Sequence, residues 1–260
     1  MSDTPSGPEA TQETFISHLI ELRSRLLRSI VAVVIVLLCL FPWAKEIYAL
    51  LAAPLLRALP SGSTMIATDV TGTFLVPLKV TLMTAFLIAL PYVLYQMWAF
   101  VAPGLYHHEK RLAMPVIVSS VIFFALGMSF AYFVVFPLAF RFFAGYTPSG
   151  VQMMTDIDKY LSFVMTMFIA FGVTFEVPIV VIVLVRLGVV SLEKLRSIRG
   201  YVIVGAFIVG AIFTPPDILS QVMLAVPLWL LYELGLLAAR FISVPKQDGG
   251  TAVEEKAANS

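Results

Sequence analysis

Residues 160–185 read YLSFVMTMFIAFGVTFEVPIVVIVLV, and Glu176 is the one charged side chain in that run. A helix needs about 20 mostly apolar residues to cross roughly 30 Å of hydrocarbon, so the run is long enough to span a bilayer. Outward from it, stretches free of Asp, Glu, Lys and Arg cover 29–44, 80–108, 112–140 and 200–216, and 218–239 is interrupted only by Glu233. The whole chain repeats the signal. Apolar residues make up 60% and charged residues 13%, against about 45–50% and roughly 25% in soluble domains. So little polar surface cannot clothe a globule in water, and lipid is the main solvent. Lipid offers no partner to a bare backbone N–H or C=O, which makes every crossing helical. The fold class that follows is all-α integral membrane, with six spans near 24–44, 76–101, 112–142, 158–186, 199–214 and 218–240.

The fifth of these runs is the shortest. Two features favour a crossing there: Thr214-Pro215-Pro216-Asp217 cannot continue a helix, and a sixth span restores the symmetry of charge. Six crossings put the N-terminus, the loops 102–111 and 187–198, and the C-terminus on one side. That side holds 12 of the 17 Lys and Arg residues; Lys45, Arg57, Lys79, Arg141 and Lys159 fall on the other. The positive-inside rule makes the richer side cytoplasmic.

The chain divides into a polar N-terminal tail (1–14), a membrane domain (15–242) and a disordered cytoplasmic tail (243–260) whose composition cannot repay ordering. Residues 1–14 lack the early basic region of a cleavable signal peptide, so the first span is expected to stay as an anchor. Between the first two spans, Ile47, Leu50, Leu51, Pro54, Leu55 and Leu59 recur at helical spacing. That pattern fits an amphipathic stretch on the membrane surface or a loop helix packed on the spans. Cys39, the single cysteine, lies in an apolar run and excludes a disulfide within the chain.

Enzymatic parts are scarce. The histidines are His18, His107 and His108; there is no HExxH, P-loop or GxGxxG, and no pair of intramembrane aspartates. No catalytic, metal or cofactor site is expected. Three polar groups remain. Glu176 lies deep in the fourth span, where an acid costs at least a few kcal/mol and normally faces protein or water. Pro178 has no N–H to give the Thr174 carbonyl, so a kink and a free acceptor are expected beside the carboxyl. The bland alternative is a neutral carboxyl bonded to a neighbouring span.

The second group is acidic. Between residues 15 and 245, the acids in cytoplasmic segments close to the membrane are Glu21, in HLIELRSRLL (18–27), Glu109, in FVAPGLYHHEKR (100–111), and Glu193, on a largely basic face. Alone, Glu21 reads as an i,i+4 partner of Arg25, and Glu109 as a solvated charge. Together they make a site for a cationic ligand, because carboxylates match a guanidinium bidentately. The third group is the FTPPDILSQ hairpin (213–221), where Thr214, Ser220 and Gln221 sit at a span end. Such residues are usually interfacial, but a cluster also suits hydrogen bonding to a partner helix.

The same residues carry a resemblance. HLIELRSRLL, AAPLL (52–56), MIATDV (65–70), YQMWAFVAPGLYHHEKR (95–111), AYFVVFPLAF (131–140), YLSFVMTMFIAFGVTFEVP (160–178) and VGAFIVGAIFTPPDILSQ (204–221) resemble the TatC family, in order, over about 15–242. The resemblance implies six spans curved like a cupped hand, in a bacterial plasma membrane with both termini cytoplasmic. It implies binding of twin-arginine signal peptides together with TatB, further TatC copies in a multimeric receptor, and recruitment of TatA. Folded proteins then cross using the proton-motive force; no nucleic acid or cofactor is involved. On this sequence the signal-binding residues implied are Glu21 and Glu109, with Arg23 and Phe100 beside them, and the partner-helix residues are Glu176, Thr214 and Gln221. Ala211, where some relatives carry a larger residue, departs from the pattern. The rival reading is an ion-coupled transporter using Glu176. It calls for several polar groups at mid-membrane and an internal repeat, neither of which the sequence shows.

Overall fold

The computed structural model describes residues 8–50, 66–101, 110–145, 154, 156–214 and 217–242. Helix α1 (Pro8–Leu40) reaches back into the stretch read as a polar tail. It tightens into a 3₁₀ turn at Phe41–Trp43, beside Pro42, and residues 44–50 are helical again. There follow α2 (Gly72–Val101), α3 (Lys110–Phe130) and α4 (Phe136–Gly145), the last two joined by a π turn at Ala131–Val135. Then come α5 (Ile157–Phe175), α6 (Val177–Arg186), α7 (Leu192–Ser197), α8 (Arg199–Phe213) and α9 (Ile218–Ile242). Among the described residues, five stretches, His18–Leu50, Gly72–Phe100, Met114–Phe143, Ile157–Arg186 and Ile218–Phe241, are long and apolar enough to cross a membrane. The sixth apolar helix, α8, has 15 residues, which at 1.5 Å each rise only about 22 Å.

Two further long spans are interrupted where proline dictates. Pro137 cannot donate to the Phe133 carbonyl, and its ring crowds that group. The π turn at Ala131–Val135 absorbs the clash with one wider turn. In the fourth span, Glu176 closes a tight turn, its N–H donating to the Val173 carbonyl at 3.1 Å. A new helix then starts at Val177, with Pro178 at its N-terminus. The helix therefore breaks beside the carboxyl.

Packing relies on close approach. A Cβ on Gly127 would drive into the Phe171 carbonyl, and one on Gly235 would lie 2.9 Å from Pro178 Cα. Small residues at such contacts let helices meet where no hydrophobic effect pushes them together. The largest core cluster joins Met83, Val135, Phe136, Met167, Phe168, Phe171 and Leu224. A second joins Leu90, Leu94, Trp98, Phe124, Ile179 and Val183, and a third ties Val181, Tyr232 and Leu236 to Leu195 of α7. Ile47 and Tyr48 pack against Val76, Val80 and Leu161; the rest of the apolar pattern running to Leu59 lies outside the described residues. Outward faces stay apolar: Leu38, Phe133, Ile212 and Phe241 are all exposed. That surface suits lipid, not water.

At the end of the bundle remote from Glu21, residue Ile66 pairs with Asp156, the Ile157 N–H donating to the Ile66 carbonyl at 3.0 Å. Lys79 and Asp158 form an ion pair at 2.6 Å. The connection before α2 and the start of α5 thus lie together, as alternating crossings require.

Candidate functional site

At the other end, α1 lies along α2, and the polar contacts there are specific. Glu21 Oε1 accepts from Arg25 Nε at 2.9 Å and Nη2 at 2.6 Å, the i,i+4 pair that the spacing allows. Arg25 Nη1 also reaches Oε1 of Gln96 on α2 at 3.4 Å, and Gln96 is buried. Four residues beyond Gln96, Phe100 stacks on His18 of α1, ring centroids 4.4 Å apart and planes 24° from parallel. Two of the four signal-site residues, Glu21 and Phe100, are thus brought to one α1–α2 seam. Arg23 is exposed on α1. Glu109 lies outside the described residues.

Glu176 is enclosed by the chain itself, 6% exposed, and neither carboxyl oxygen has a hydrogen-bond partner. The Ser120 hydroxyl lies within electrostatic reach, without making a bond of ordinary geometry. Ser120 Oγ accepts the Trp98 indole N–H at 2.8 Å, fully buried. An acid without a partner in the interior is costly, so this site is held by the surrounding packing rather than by its own bonds.

The hairpin residues are mostly occupied within the chain. The Thr214 hydroxyl donates to the Gly210 carbonyl at 2.8 Å. Gln221 Nε2 donates to the Phe207 carbonyl at 3.0 Å, sealing α9 against α8. Asp217 Oδ1 caps α9 by accepting the Ser220 N–H at 2.6 Å, while Ser220 Oγ and Asp217 Oδ2 are buried and unbonded. Thr214 and Gln221 both sit at the α8–α9 turn.

A family model described as the Sec-independent protein translocase protein (TatC) matches residues 17–227. The chain belongs to the TatC family. It is 56% identical over 230 residues to the Sec-independent protein translocase protein TatC of Azotobacter chroococcum mcd 1, covering 88% of this chain and 90% of that protein. Against the TatC of Escherichia coli strain K12 it is 55% identical over 229 residues, covering 88% and 89%. A solved crystal structure of the twin arginine translocase receptor TatC superposes with a TM-score of 0.76 at 42% identity, over 86% of this chain and 98% of that one. The protein is a multi-pass membrane component of a protein translocase and not an enzyme.

Several side chains at these sites carry no clear signal in the sequence. His18 reads there only as a histidine without catalytic company; in the fold it holds Phe100 against α1. Gln96, Trp98 and Ser120 are hidden in apolar runs. A signal is available, since polar residues inside a span usually bond across helices, but their partners lie on other helices and no spacing names them.

Proposed function

We propose that this TatC-family chain is the receptor core of a twin-arginine translocase, taking the paired arginines of a signal peptide on Glu21 and Glu109. The observation that carries the reading is the α1–α2 seam, where Glu21 and the His18–Phe100 stack converge near the C-terminal end of α2. Both Arg25 contacts fall on Glu21 Oε1, so an incoming guanidinium meets Oε2 or displaces Arg25. Phe100 offers an apolar face beside that charge, and Arg23 sets its register by repulsion. The solved relative at 42% identity is a twin arginine translocase receptor, which supports the same assignment.

Around this core the reading places TatB beside the signal site, further TatC copies in a multimeric receptor, and TatA recruited for export of folded proteins driven by the proton-motive force. The setting is the bacterial plasma membrane, with six crossings and both termini in the cytoplasm. Glu176, Thr214 and Gln221 then serve partner helices. Because the Glu176 carboxyl is enclosed, a partner's polar group reaches it only when the helices beside it part.

The test is Glu109→Gln. A charge-assisted contact contributes roughly 1.5–3 kcal/mol, so signal-peptide affinity should fall about ten- to a hundredfold while the protein still inserts and folds. Glu109→Asp should cost less, and Phe100→Leu should be milder than Phe100→Ala. Wild-type export of twin-arginine substrates by Glu109→Gln would refute the assignment.

A further inference from the structure

We propose that the groove between α1 and α2 seats one anionic phospholipid, with Arg28 holding the headgroup phosphate and the strip Leu27–Val31–Ile35 holding an acyl chain. The groove has a volume of about 430 Å³ and is lined by Leu27, Arg28, Val31, Ala32 and Ile35 of α1 and by Tyr92 of α2. Leu27, Val31 and Ile35 follow one another at i+4, so they form a continuous apolar strip about 12 Å long down the helix. All three are roughly half exposed or more. Ala32 supplies the depth, and Tyr92 makes the opposite wall.

The charge decides which occupant fits. Arg25, three residues earlier, is bound to Glu21 and Gln96. Arg28 is exposed, and the ion pairs among the described residues do not include it. It lies inside the first apolar span, where a guanidinium either finds an anion or snorkels to the surface. A phosphodiester supplies two oxygens for the planar fork. Basic pockets between spans hold anionic headgroups by this chemistry, and tyrosine is at home at that depth. An apolar helix about 10–12 Å across would leave the guanidinium without a counter-charge, and a choline lipid cancels part of the attraction with its own cation. The lipid is therefore an anionic one.

The experiment uses the full-length chain purified in dodecyl maltoside and stripped of lipid. It is titrated with phosphatidylglycerol or phosphatidylcholine of identical acyl chains, and the first bound lipid is counted by native mass spectrometry. One basic residue near a membrane surface corresponds to about fivefold in affinity, so wild type should prefer phosphatidylglycerol by about that factor. Arg28→Gln should remove the preference. Ala32→Phe, which fills the groove but keeps Arg28, should weaken phosphatidylglycerol binding, whereas Arg240→Gln should leave it unchanged. Equal binding of the two lipids by wild type overturns the proposal and needs no variant to fold. A preference that survives Arg28→Gln, or undiminished binding in Ala32→Phe, overturns it as well.

Discussion

A single carboxylate illustrates how local chemistry is set at each end of this molecule. Asp156 caps α5 through the N–H groups of Asp158 and Lys159 and accepts both the hydroxyl and the N–H of Thr68. The Thr68 hydroxyl first, then the backbone N–H groups of Lys159, Thr68 and Asp158, hold its carboxyl down at about 2. Its ordinary value is about 3.9, so its stabilising contribution is complete above about pH 4 and disappears as pH falls through about 2. Thermal unfolding in detergent should show Asp156→Ala less stable than wild type at pH 7, with the difference closing by pH 2. A gap that persists at pH 2 would show that the cap acts without its charge. Glu176 is the opposite case, a carboxyl without bonds. Glu176→Ala should leave signal-peptide binding near normal while lowering export and crosslinking to a single-span partner. Glu176→Gln keeps the hydrogen-bonding groups and should keep most of both. Loss of export in Glu176→Gln with partner crosslinks intact would point to proton coupling instead.

The helices owe their breaks to proline and their contacts to glycine. The break at Glu176 is legible because Pro178 stands two residues beyond the acid. The π turn before Pro137 cannot be read from AYFVVFPLAF, because proline requires only relief of the clash and leaves its form to the neighbours. Gly127 is equally silent: nothing in its flanks says that α5 runs against its Cα. Gly127→Val should therefore destabilise by about 1–3 kcal/mol through overpacking. Gly205→Val should be close to neutral, because a Cβ there meets nothing within 4 Å. Differential scanning fluorimetry on the two variants decides between a packing contact and a general intolerance of bulk. The short α8 belongs to this scale too. On the proposed six-span reading, a helix of about 22 Å would call for locally thin lipid and so would suit short-spanned partners.

For the molecule as a whole, sidedness comes from charge, and it is open to direct measurement. In a Cys39→Ser background, single cysteines at Gly62 and Gly150 should react with an impermeant maleimide added to whole cells. Cysteines at Tyr106 and Glu193 should be protected. The reverse pattern would overturn the orientation, whatever the family. The pairing of Ile66 with Asp156 brings the segment before α2 and the start of α5 to one end of the bundle independently of the charge count.

The division between sequence and structure follows from the range of the forces involved. Transfer into lipid depends on each residue's own polarity, summed over about 20 neighbours in the chain. Helix class, the positions of the apolar runs, the charge asymmetry and the break at Pro178 are therefore present in the sequence alone. The i,i+4 pair of Glu21 and Arg25 is also present, because helical geometry fixes that distance locally. Contacts between helices are of another kind. Gln96 receives Arg25 from 71 residues away, Trp98 meets Ser120 on the next span, and Gln221 seals α9 onto α8. All three pairings depend on how rigid helices rotate and tilt when they meet. So does the enclosure of Glu176: its depth in the membrane is written in the chain, but which helices cover it is settled only by their packing.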